Sequence, residues 1–95
     1  MTPEMLTLVS LYAKITEDPR VSVWHISLYT SILTLWQKGG CPQELRVSRK
    51  QLMTGAHFRS ITTYHKCINQ LRKLEYIEYF PNYDAYQRSI IKLII

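Results

Sequence analysis

The side chains able to ligate a metal or act as nucleophiles are few and badly spaced. His57, His65 and Cys67 come nearest to a metal set. On a helix, residues two apart point about 200° from one another, so His65 and Cys67 cannot chelate one ion. There is no Gly-rich phosphate loop, no carboxylate pair at a spacing suited to acid–base work, and no Ser, His and Asp set that so short a chain could assemble. Neither enzymatic activity nor a cofactor, metal or small-molecule ligand is expected. Cys41 and Cys67 stand outside any C-x-x-C spacing and no basic-then-apolar leader precedes them. The expected compartment is therefore a reducing cytoplasm rather than a secreted, disulfide-built one.

The sequence does concentrate cations. Residues 1–38 carry Lys14, Arg20 and Lys38 against Glu4, Glu17 and Asp18, which cancel, so the formal net charge of +5 lies downstream. Residues 45–74 hold seven basic side chains, Arg46, Arg49, Lys50, Arg59, Lys66, Arg72 and Lys73, and no acidic one. Such an asymmetry suits a polyanionic partner.

These groups must be positioned by one small fold, since 95 residues with 46% hydrophobic content fill one core and argue for a single domain over 1–95. Thr2-Pro3-Glu4 is a helix start. Met5, Leu8, Val9, Tyr12 and Ile15 then repeat at helical spacing over about 3–16, and Asp18-Pro19 stops the helix. Leu6 and Leu11 fall partly off that stripe, which leaves apolar surface for a homodimer contact on this first helix. A second helix over about 22–38 ends at Gly39-Gly40 and is apolar around most of its circumference, which places it at the centre with Trp24 and Trp36 in the core. His25 on it is expected to find a backbone or solvent partner. The uncharged stretch is too short and too polar to span a membrane.

Leu45-Arg46-Val47 is a short strand, and Ser48 caps a short helix that directs Leu52 and Met53 inward and is broken by Gly55. After a few residues Ser60 caps a longer helix ending near Leu74, giving helix-turn-helix organisation over about 48–74. Residues 76–80 and 89–95 are rich in β-branched and aromatic side chains, and the polar segment between them makes a hairpin over about 76–95. The fold class is mainly α with a small β hairpin, in the order α-α-β-α-α-β-wing-β of a winged helix-turn-helix.

At 100° per residue, Ile61, Tyr64, Cys67, Ile68, Leu71 and Leu74 occupy one arc of about 140°, which packs inward. Arg59, Thr62, Lys66, Asn69 and Lys73 occupy the opposite arc, flanked by Thr63 and Gln70. Cations and hydroxyls suit phosphates, and amide or guanidinium groups suit base edges in the major groove, so double-stranded DNA is the expected partner. The first turns, from Ser60 to Lys66, should go deepest, with Lys73 near the backbone. Ser60 and Arg59 at the helix start, and Arg49 and Lys50 opening the preceding helix, suit flanking phosphates. Tyr83, Tyr86, Gln87 and Arg88 form a wing, with Arg88 directed to the minor groove or adjacent backbone and Asp84 opposing it.

The segments Trp24-His25-Ile26-Ser27-Leu28-Tyr29 with Leu35-Trp36, Val47-Ser48-Arg49-Lys50-Gln51-Leu52-Met53, Thr63-Tyr64-His65-Lys66-Cys67-Ile68 and Leu74-Glu75-Tyr76-Ile77-Glu78-Tyr79-Phe80-Pro81 resemble small bacterial winged-helix proteins of mobile elements and phage-like regions. Those are described as transcriptional regulators or replication-initiation-like proteins. The resemblance implies the fold and a recognition helix containing Thr63-Tyr64-His65-Lys66, with a departure at Ile61, where a smaller or basic residue is expected. The alternative is a protein-interaction or replication-accessory module, motivated by the apolar strand at residues 90–95 and the edge or patch it would offer.

Overall fold

Two serines start helices as their sequence context predicts. Ser48 accepts the Gln51 N–H at 3.1 Å and Ser60 accepts the Thr63 N–H at 3.2 Å, each satisfying a backbone donor that a helix start leaves unpaired. The structure, a computed structural model, describes residues 3–82 and 88–95. The expected cap Thr2 and the wing residues Tyr83, Asp84, Tyr86 and Gln87 lie outside them. The described elements are α1 (Pro3–Thr16), α2 (Val23–Lys38), β1 (Leu45–Val47), α3 (Arg49–Gly55), α4 (Ile61–Lys73), β2 (Ile77–Phe80) and β3 (Ser89–Leu93). The protein is thus mainly helical with a small antiparallel sheet.

Helices α2, α3 and α4 end in the same way. In each, a left-handed residue follows the C-cap, and the next N–H turns back to a carbonyl of the last turn: Cys41 to Trp36 at 2.9 Å, Phe58 to Met53 at 2.8 Å and Tyr76 to Leu71 at 3.0 Å. These are Schellman closures. Gly40 takes the left-handed position in the first, but His57 (φ 62°) and Glu75 (φ 66°) take it in the other two. Gly55, expected to break α3, is instead its last helical residue. A Cβ there would sit 2.5 Å from Ser31 Oγ of α2, so this glycine lets α3 approach α2, and the break falls at His57.

Helix α2 is the hub, packed by α1, α3 and α4. Leu28, Tyr29 and Ile32 from α2, Leu52 from α3, and Tyr64, Ile68 and Leu71 from α4 are fully buried, with Ile77 and Ile91 closing the core from the sheet. Three expectations are corrected. Trp24 is 53% exposed, lying edge-on to Phe58 at a ring separation of 5.7 Å, while Trp36 is buried. On α1 the buried stripe is Leu11 and Ile15 with Leu8 beside it, whereas Met5, Val9 and Tyr12 face outward. Ile61 is also half exposed. In the sheet, of order β1-β3-β2, β3 pairs with β1 (Val47 opposite Ser89) and with β2 (Phe80 opposite Ile90). The apolar C-terminal strand is therefore central, paired on both sides at Ile90 and Ile91, with β1 alone at Ser89 and with β2 alone at Lys92 and Leu93.

The connection between α1 and α2 is latched by Asp18, which accepts the Tyr76 hydroxyl at 2.6 Å and pairs with Arg20 at 2.8 Å. The Arg20 guanidinium, followed by the Tyr76 hydroxyl, holds the carboxyl well below the usual carboxylate range. A group depressed in the folded state contributes stability that is complete above its unfolded value and is lost as pH falls toward the folded one. Asp18→Asn should therefore lower the melting temperature at pH 7, with the gap to the wild type closing below about pH 4. Thermal melts across pH check this, and a gap of constant size would exclude the latch. Glu75→Gly relieves a left-handed residue that costs about 1 kcal/mol, and melting should rise by roughly 4–8 °C in a domain of this size.

Candidate nucleic-acid interface

Helix α4 presents its polar arc because the opposite arc is occupied. Tyr64, Cys67, Ile68 and Leu71 are buried against α2 and β2, and Leu74 is half buried. Burial pushes the Cys67 thiol and the Tyr64 phenol upward from their ordinary values, so neither ionises near neutral pH. The rotation is set by a long-range polar contact. The Ser22 N–H donates to His25 Nδ1 at 2.9 Å, so the neutral ring carries its proton on Nε2 and donates it to Gln70 Oε1. Gln70 is therefore half buried and tied to α2, and it leaves the polar flank where the sequence placed it. Thr63 is also only half exposed.

Thr62, Lys66, Asn69 and Lys73 are exposed along α4, with Arg59 and Ser60 exposed at its start. His65 and Arg72, which angular counting from the sequence left out, lie on the same face, as does Ile61. At 40° and 20° from Ile61 they lie beside it, and the core arc is narrower than the apolar spacing predicts because it stops short of Ile61. His65 points outward while Cys67 is buried. Among the described residues no three His, Cys, Asp or Glu side chains converge as a metal site would require, and no helix is long and apolar enough to cross a membrane.

A second cationic group comes from the sheet. Arg49 and Lys50 open α3, the first half buried and the second exposed. Val47 pairs with Ser89, and Ser48, the cap of α3, and the exposed Arg88 each lie one residue beyond that pair. Arg49 acts electrostatically on the Tyr64 phenol, whose oxygen lies 3.4 Å from that of Tyr79 in β2. No carboxylate among the described residues pairs with any of these cations, the ion pair found there being Arg20 to Asp18.

The turn before α4 is held from α2. Ser27 donates to the Ala56 carbonyl at 2.9 Å, and Phe58 is buried under the Trp24 indole. Trp24, His57, Arg59, Ser60 and Thr63 line a cleft of about 210 Å³ at the start of α4. Trp24 is thus a member of the site that its sequence context did not reveal, because α2 is apolar on nearly every side. No protein-family model, curated protein or solved structure matches the chain.

Neighbouring amides Asn69 and Gln70 separate surface from scaffold. Gln70→Ala leaves the His25 N–H buried without an acceptor and should cost about 1–3 kcal/mol of stability, measured by denaturant unfolding. Asn69→Ala, at an exposed position, should cost less than about 0.5 kcal/mol. Equal losses would contradict the assigned rotation of α4.

Proposed function

We propose that the protein is a winged helix-turn-helix module that binds double-stranded DNA and regulates transcription, as the small bacterial regulators it resembles are described to do. The observation that carries this reading is the face of α4. It holds exposed cations, hydroxyls and an amide, contains no acid, and is backed by a core that prevents the helix from rotating. The element order and the β1-β3-β2 sheet beside α4 support the winged-helix assignment.

Thr62, Lys66 and Asn69 carry base recognition, since an amide suits adenine and an ammonium suits the acceptors of guanine. The half-exposed Ile61 suits a thymine methyl group, which gives its departure from the expected residue a use. Arg59 and Lys73 hold the backbone, joined by Arg72 and His65. Ser60 and the free N–H groups behind it face a phosphate, and Arg49, Lys50 and Arg88 grip the flanking strand. The half-exposed Thr63 contributes from the edge of the cleft. The alternative of a protein-docking module keeps the apolar patch of Ile94 and Ile95 beside Leu6 as its motive, while β3 is paired on both sides at Ile90 and Ile91.

Selection of bound fragments from a random duplex pool tests the proposal. The logarithm of affinity should fall against the logarithm of salt by about 0.9 for each phosphate neutralised. Lys50→Ala should reduce that slope by about 1 without altering the selected motif, while Lys66→Ala and Asn69→Ala should each cost about 1–3 kcal/mol on the selected site and less on bulk DNA. Affinity that is insensitive to salt would overturn the reading. The exposed Trp24 supplies an optical check: its emission should change on DNA addition, and Trp24→Phe should abolish the change, since Trp36 is buried with its N–H on the Pro42 carbonyl.

A further inference from the structure

The side of the molecule away from α4 has the opposite character. Residues 5–13 and 23–37 contain no Asp, Glu, Lys or Arg. Met5, Val9 and Tyr12 of α1 are each about half exposed, and between α1 and α2 runs a groove of about 350 Å³ lined by Val9, Tyr12, Leu33 and the threonines of α2. Those threonines make this face more apolar than their names suggest. Thr30 donates to the Ile26 carbonyl at 2.7 Å and Thr34 to the Thr30 carbonyl at 2.8 Å. Each hydroxyl is satisfied within its own helix, which leaves the Gln37 amide as the polar group at the end of the groove.

We propose that this face is a self-association surface, occupied by the same face of a second copy of the chain. Charge selects the occupant. A nucleic acid or an acidic peptide would find one cation at the border of this face, Lys38, one turn beyond Thr34, and a lipid surface is held by helices with a basic rim of several residues, which one lysine does not make. A second copy brings an equally uncharged ridge. At 100° per residue, Thr30 and Thr34 lie about 140–180° around α2 from His25, the residue that meets α4. Pairing here therefore turns both α4 faces outward and leaves only Lys38 of each chain at the border of the contact, although each chain carries +5.

Area sets the strength. The face is about 21 Å long, the length of a 14-residue helix, and two helices, about 20 Å, wide. A two-fold contact would then bury on the order of 800 Å² in total, at the weak end of specific interfaces. A concentration-dependent dimer is expected rather than an obligate one.

This inference stands apart from DNA binding and is tested without DNA. Sedimentation equilibrium of the full chain, from low to high micromolar, should show one chain passing to two. Val9→Glu and Thr34→Glu, on separate helices and both at exposed positions, should hold it at one chain with unchanged circular dichroism and melting. Either variant decides if the other fails to fold. A wild type that stays monomeric throughout overturns the proposal, as does a dimer that survives in a folded variant. A monomer that instead co-sediments with vesicles of phosphatidylcholine and phosphatidylglycerol assigns the face to lipid and overturns it equally.

Discussion

The packing of α4 on α2 is the constraint on which the rest depends. A helix of thirteen residues is marginal on its own, so α4 exists because Tyr64, Ile68 and Leu71 are buried. Apolar packing alone tolerates some rotation about the helix axis. The His25 to Gln70 hydrogen bond removes that freedom, because a ring N–H and an amide oxygen meet in one orientation and a miss would strand the buried ring N–H away from water. The same histidine also accepts the N–H at the start of α2. One side chain therefore sets where α2 begins and which way α4 faces.

Given that rotation, the charge distribution follows from which half of the chain supplies which element. The neutral first 38 residues build α1 and α2, and the basic remainder builds α3, α4 and the sheet. Because α2 takes α4 on one side and leaves the other uncovered, the molecule has a cationic face and an uncharged one. Neither face could be altered by turning a helix without breaking the core between them.

Much of this was legible in the residues. Ser48 and Ser60 mark helix starts by a chemistry that acts within three residues, and Gly39-Gly40 marks an end in the same local way. Helix order, the two short capped helices and the cationic arc followed from those signals. What could not be read depended on partners far along the chain. Asn69 and Gln70 are chemically alike, and only His25, 45 residues away, makes one of them scaffold. Trp24 and Trp36 differ in exposure because α2 is apolar all round, and periodicity assigns no outer side to such a helix. On α1 the apolar arc is broader than the contact beneath it, so the spacing extends the buried stripe to Met5 while burial stops at Leu8 and Leu11. His57 and Glu75 end helices in a conformation usually left to glycine, which their types do not announce.

The position of β3 between β1 and β2 has a temporal consequence. It follows both of its partners along the chain, and Leu45 must wait for Ile91. During synthesis the helices can assemble as they emerge, but β1 and β2 have nothing to pair with until the last strand is made. Arg88 joins Arg49 and Lys50 only then, so a nascent chain holds the α4 face before it holds the full set of cations on the sheet side.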